Sequence, residues 1–99
     1  MTASSGSLPV HRRRTTCFSV IAAAEPGAMP RVLEIFAKRG LVPSQWLGTT
    51  AGFHNRELYI DIQLDGVDTE LSERLAQSLR QVVSVRSVLT SEKRLLLSA

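Results

Sequence analysis

The chain has 99 residues, which is enough for one domain with a single core and too few for two. Its apolar fraction of 43% and charged fraction of 21% are those of an ordinary globular domain and exclude a disordered or fibrous chain. Part of the net charge of +3 comes from the run His11 to Arg14. Because a run of this length is usually solvated, we do not expect it to bind nucleic acid.

Cys17 is the only cysteine, so an intramolecular disulfide and a four-cysteine metal site are excluded. It lies in a strand-like segment without a histidine motif, and we expect it to be a packing residue and not a nucleophile. No run approaches the roughly 18 apolar residues of a membrane span. The first ten residues also lack the apolar centre of a signal peptide. We therefore expect a cytoplasmic protein with no cofactor and no metal.

The first fourteen residues are rich in Ser, Gly, Thr and Arg without periodicity. They predict a flexible basic tail over 1–14, followed by a domain over 15–92. The uncharged run Phe18 to Ala24 predicts a buried strand. Glu25-Pro26-Gly27 then predicts a sharp turn, with a fixed φ at the proline and a glycine free to take a positive φ.

Apolar residues at helical spacing predict a helix directly after this turn. Gly40 is the expected residue after its C-terminal end, and Lys38 and Arg39 suit that end electrostatically. Pro30 is compatible with the helix only because an N–H in the first turn has no intrahelical partner. The predicted buried stripe consists of Met29, Val32, Leu33, Ile35 and Phe36.

The middle of the chain predicts a β-hairpin. Leu41 to Ala51 predicts its first strand, and Gly52 to Arg56 supplies the turn. In the second strand apolar residues alternate with polar ones, which predicts one buried and one exposed face. The apolar positions are Leu58, Ile60, Ile62 and Leu64.

The last third predicts a helix and a strand. Asp68 is a suitable N-cap for a helix that reaches about Gln81, and its expected buried residues are Leu71, Leu75, Leu79 and Val82. A final strand is predicted from Val83 to Thr90, with Val85 and Val88 on opposite sides. Residues 93–99 are predicted to form a C-terminal tail.

The order β-α-β-β-α-β predicts an α+β fold of the ferredoxin-like type. Its four-stranded antiparallel sheet would have both helices on one face, so the other face stays open unless a second copy covers it. Such a fold hosts many functions. The sequence lacks HExxH, GxSxG, P-loop and CxxC motifs, and we expect no catalytic residues. An RNA-binding module is a minor alternative, with Tyr59 as its only suitably placed aromatic residue.

One stretch carries a specific resemblance. Gly27-Ala28-Met29, then Arg31-Val32, Phe36 and Arg39-Gly40 resemble the ACT domain, and within it the small regulatory subunit of acetolactate synthase. The likeness spans roughly Arg12 to Glu92, but only its first third is motif-specific. Because the chain is short, it is most similar to the subunits that consist of an ACT domain alone.

The resemblance implies a non-catalytic regulatory module in branched-chain amino-acid biosynthesis. In that family an amino-acid effector lies between two ACT domains, against the turn between the first strand and helix. This implies a homodimer or higher oligomer, a catalytic partner subunit, and ligand-binding residues Glu25, Pro26, Gly27, Ala28 and Met29. The family commonly has Asn or Asp where this chain has Ala24. A stand-alone amino-acid sensor is the alternative function.

Overall fold

The computed structural model describes residues 12–96 of the chain. It contains four strands, two helices and a short 3₁₀ turn at Phe53–Asn55. The elements, in chain order, are β1 Arg12–Ala23, α1 Ala28–Ala37, β2 Gln45–Ala51, β3 Glu57–Asp65, α2 Thr69–Arg80 and β4 Val85–Leu96.

The strands form one antiparallel sheet in the order β2-β3-β1-β4. Alternate residues of β1 and β3 face the helices and are buried, which fixes the register by their hydrophobic pattern. Both helices bury their apolar residues in the same core. The predicted ferredoxin-like βαββαβ fold is therefore confirmed. The core residues of the two central strands are Phe18, Val20, Ala22, Leu58, Ile60, Ile62 and Leu64.

Helix α1 lies on the sheet through Ala28, Val32 and Phe36, which are fully buried. The Phe36 ring meets Phe18 edge to face, with ring centroids 5.7 Å apart, and meets Trp46 at 6.5 Å. Aromatic pairs of this geometry stabilise a core beyond their buried area. Phe36 therefore joins α1 to β1 and β2.

Helix α1 ends as the sequence predicts, at a glycine in the left-handed conformation. Gly40 has φ +68°, its N–H donates to Ala37 O, and the Leu41 N–H donates to Phe36 O. These two bonds form a Schellman motif. Helix α2 begins with the predicted cap, since Asp68 Oδ1 accepts from the Leu71 N–H at 2.8 Å.

Parts of both predicted tails belong to the sheet. Strand β1 begins at Arg12, so Arg12 to Arg14 belong to the sheet and pair with the end of β4, which continues to Leu96. Arg14 forms an ion pair with Glu92 at 2.6 Å and donates to Thr69 Oγ1. The sequence did not predict this part of the strand, because three consecutive arginines lack the alternation of apolar and polar residues that indicates a strand. The rest of both predicted tails, 1–11 and 97–99, lies outside the described residues.

Three local predictions are wrong. Strand β2 begins at Gln45, four residues later than expected. Leu33 is 43% exposed, because the buried stripe of α1 is centred on Val32 and Phe36. Val85 and Val88 face the core together, since a β-bulge between β1 and β4 inserts one extra residue at Arg86.

Candidate functional site

The turn between β1 and α1 is held by backbone hydrogen bonds to both of its flanks. The Ala24 N–H donates to Arg56 O at 2.9 Å, which ties the turn to the β2–β3 hairpin. The Ala28 N–H donates to Glu25 O at 3.0 Å and closes the turn across Pro26 and Gly27. Its shape is therefore fixed by the sheet and the helix that it joins.

The predicted ligand-binding residues occupy different environments within this turn. Glu25 and Pro26 are exposed, and Gly27 and Met29 are half-buried. Ala28 is completely buried, so it can offer a ligand no side-chain contact, and its N–H is already bonded. Ala24, at the end of β1, is exposed. A ligand at this turn would meet Ala24, Glu25 and the Gly27 backbone first.

Gly27 has φ −84° and ψ −6°, so the positive φ that the sequence left open for it is not used. A Cβ at this position would lie only 2.9 Å from Arg31 Nη1 and 3.3 Å from Arg31 Cζ. The glycine is therefore a place of close approach, where the guanidinium of the next helical turn lies over the backbone. Arg31 forms no salt bridge with any residue in 12–96.

Arg31 is the functional candidate that the sequence analysis missed. The signal was present, because Arg31 is four residues after Gly27 and α1 brings such residues to one face. A guanidinium is a planar fork of donors that suits a carboxylate. Glu25 adds a carboxylate to the same turn. Together they can pair with the two charged groups of a zwitterion.

Met29 connects the turn with the edge strand β2. A Cβ at Gly48 would lie 2.1 Å from Met29 Cε, so the methionine side chain occupies the space above this glycine. Met29 is half-buried and packs against the core. Its flexible thioether can adapt to a neighbouring group more easily than a branched side chain. The Met29 side chain therefore lies between α1 and β2.

Two further loops lie at this end of the sheet. The Ala23 N–H donates to Ser84 O at 2.8 Å, which places the loop before β4 beside the turn. The Ser84 hydroxyl is buried and bonds to no residue that the structure describes. Phe53 and Val83, at the tips of the two loops, are 81% and 98% exposed. These tips give the end of the sheet an apolar rim.

The sheet face away from the helices is open. Its exposed apolar residues are Leu47, Tyr59 and Leu89, and Ile21 between them is half-buried. The register places Leu47, Asp61, Ser19 and Leu89 in one row across all four strands. Tyr59 is the only aromatic residue on this face of β1 and β3, and Asp61 and Asp65 would repel phosphates. The face does not form a platform for stacking nucleic-acid bases.

A metal site, a membrane-spanning helix or a reactive cysteine in residues 12–96 would each indicate a different function. No three His, Cys, Asp or Glu side chains in this part of the chain gather as ligands for a metal ion. None of its helices combines the length and the apolar character that a membrane crossing requires. Cys17 is half-buried in the centre of β1.

Residues 12–96 form a small domain of the ferredoxin-like type, with one exposed strand–helix turn and one open sheet face. Residues 10–95 match the family model of the ACT-like domain. The chain belongs to this family, and it is an ACT regulatory domain. No curated protein matches it in sequence.

Solved structures with the same fold come from proteins of different kinds. An uncharacterized protein from Thermotoga maritima is 19% identical, with a TM-score of 0.65, over 81% of this chain and 96% of that one. The ACT domain from GTP pyrophosphokinase of Chlorobium tepidum is 12% identical, with a TM-score of 0.66, over 78% and 96%. The regulatory subunit of aspartate kinase from Thermus flavus is 11% identical, with a TM-score of 0.59, over 81% and 54%. At such identities the likeness concerns the fold alone.

Proposed function

We propose that this protein is a non-catalytic subunit that binds an amino acid at the turn Glu25–Met29 and regulates a cytoplasmic biosynthetic enzyme. The observation that carries the proposal is the exposed turn, with the Arg31 guanidinium over Gly27 and an exposed glutamate, Glu25, two residues before that glycine. The turn and its neighbours offer charged and apolar groups that can bind a ligand. They include no arrangement of side chains that is typical of a catalytic site.

The two charges of the turn fit the two charges of a free amino acid. The Arg31 guanidinium would donate two hydrogen bonds to the ligand carboxylate, and the Glu25 carboxylate would bind the ligand ammonium group. Met29 offers an adaptable surface to an aliphatic side chain. Ala24 lacks the polar side chain that Asn or Asp commonly supplies at this position in the family, so one hydrogen bond to the ligand is not made.

The first candidate for the partner enzyme is the catalytic subunit of acetolactate synthase, in branched-chain amino-acid biosynthesis. The motif from Gly27 to Gly40 supports it, and the similar structures named above leave the choice of enzyme open. Co-expression with the synthase catalytic subunit of the same organism should give a stable complex on affinity purification. Synthase activity should change when this protein is added.

The alternative is a stand-alone amino-acid sensor, and the same experiment separates the two. Failure to recover the catalytic subunit, together with unchanged synthase activity, would reject the subunit function. Amino-acid binding by the isolated chain would then favour the sensor. A catalytic subunit that is activated equally by an unrelated ACT domain would also count against a specific partnership.

Ala24 gives a sharp test of the ligand site. Because the usual polar partner is missing, we expect the unaltered protein to bind valine, leucine and isoleucine weakly. A hydrogen bond to a charged group contributes about 1.5–3 kcal/mol, so Ala24→Asn should raise the affinity roughly ten- to a hundredfold. Calorimetric titration measures both forms, with Ala37→Asn on the far end of α1 as the control. Tight valine binding by the unaltered protein would contradict the prediction.

A further inference from the structure

A groove runs along the outer flank of α2, where the helix lies over the edge strand β4. It consists of three adjoining clefts of about 280, 300 and 310 Å³. The first two share Glu73 and Thr90, and the second and third share Arg80. None of the residues that line them belongs to the turn Glu25–Met29. The groove is therefore separate from the candidate ligand site.

One wall of this groove is a sheet edge. In the order β2-β3-β1-β4 the strand β4 pairs only with β1 among residues 12–96, so its other side presents backbone N–H and C=O groups. Such an edge is a template for a further strand. The groove touches β4 from Val85 to Glu92. That length corresponds to about 20–25 Å of extended chain.

The two ends of the groove carry opposite charges. Glu73 lies at the end near Glu92, and Arg80 lies at the end near Val85. Neither Glu73 nor Arg80 forms a salt bridge with a described residue, and the Arg80 guanidinium donates to Val88 O at 3.0 Å. The cleft between them is lined by Ala76, Gln77 and Thr90, which carry no charge and leave room for the side chains of an added strand.

We propose that this groove binds an extended peptide segment of a partner protein, which pairs antiparallel with the edge of β4. The strand runs from the Arg80 end to the Glu73 end, so an antiparallel peptide begins beside Glu73 and ends beside Arg80. It therefore carries a basic residue at its first position and an acidic residue at its last. Alternate side chains enter the clefts under α2.

The probes are two capped peptides of identical composition, Lys-Thr-Val-Thr-Val-Thr-Glu and its reverse. Each is titrated into the ¹⁵N-labelled full chain to millimolar concentration. The peptide with lysine first should shift the amide signals of β4 and the outer flank of α2. The reversed peptide should bind more weakly, by roughly two- to fivefold for each mismatched surface charge.

Glu73→Arg exchanges the charge at one end of the groove. It should weaken the first peptide roughly two- to fivefold and strengthen the reversed one. Glu34→Arg on α1 is the matched control, since Glu34 is exposed and lies outside the groove. Circular dichroism checks that both variants fold.

Several results would overturn the proposal. Equal affinity for the two peptides would show that Glu73 and Arg80 do not select the orientation of the peptide, which contradicts the proposal. Shifts confined to β2 would place strand addition at the other edge of the sheet, and the absence of shifts would exclude it. Nuclear Overhauser contacts between β4 and residues 1–11 of the free chain would assign the groove to the protein's own N-terminal segment.

Discussion

At the residue scale, the two glycines that bound α1 have different physical roles. Gly40 adopts φ +68°, which only glycine reaches without strain, and a Cβ there would meet no atom within 4 Å. Gly27 adopts an ordinary helical conformation and is limited only by the Arg31 guanidinium. Gly40 is needed because of its positive φ, and Gly27 is needed because the Arg31 guanidinium occupies the space where a Cβ would lie.

This difference can be measured by substituting alanine at each position. Gly40→Ala should lower the free energy of unfolding by about 1–2 kcal/mol, because alanine is strained at positive φ. Gly27→Ala should change it by less than about 0.5 kcal/mol, since the end of a flexible side chain can move and alanine restricts the unfolded chain. Urea denaturation of both variants checks this. A larger loss at Gly27 than at Gly40 would contradict these assignments.

At the element scale, α2 depends on its N-terminal cap. Asp68 Oδ1 accepts the Leu71 N–H, and the exposed Glu70 in the first turn suits the helix dipole. The buried residues Leu75 and Leu79 then attach the helix to the core. The cap fixes where the helix starts, and with it which residues face the sheet.

Removal of this cap should destabilise the domain measurably. We expect Asp68→Ala to cost about 1 kcal/mol in the free energy of unfolding, and to speed hydrogen exchange at the Leu71 amide. Asp68→Asn keeps an acceptor at the same place and should remain within a few tenths of a kcal/mol of the unaltered protein. Equal losses for the two variants would show that the carboxylate acts through its charge alone.

At the scale of the whole molecule, the open sheet face is the feature that a single chain leaves unexplained. Leu47 and Leu89 are 52% and 68% exposed and lie in one row of the sheet, with Tyr59 and Ile21 in the adjoining row. Apolar side chains grouped on a face often mark an interface. We propose that two copies associate through this face.

Light scattering should therefore give a mass of about 22 kDa, twice the 10.9 kDa of one chain. Leu47→Asp combined with Leu89→Asp should reduce it to the mass of one chain, because it buries charge in the interface and places one aspartate opposite Asp61. Val42→Asp is the control, since Val42 is exposed but precedes β2. A single-chain mass for the unaltered protein at micromolar concentration would reject the dimer.

The sequence by itself determined the order of the elements and most of the core. Alternation in β3 and the helical spacing around Val32 and Leu75 are local periodicities, and burial follows from them wherever one face meets a core. The cap at Asp68 and the stop at Gly40 were predictable for the same reason, because each depends on bonds between neighbouring residues. The resemblance to the family predicted that a ligand binds at the turn Glu25–Met29, and this stays a prediction.

Only the tertiary structure decided what depends on contacts between distant segments. Arg14 became part of a strand because β4 pairs with it, and the bulge at Arg86 turned Val85 to the core. The spacing of four residues places Arg31 and Gly27 on one face of α1, but only the structure shows that the guanidinium lies over the glycine backbone. The groove under α2 likewise requires helix and edge strand to be packed together. Hydrophobic periodicity within one element indicates which of its residues are buried. A binding site depends on how separate elements pack together, which periodicity does not contain.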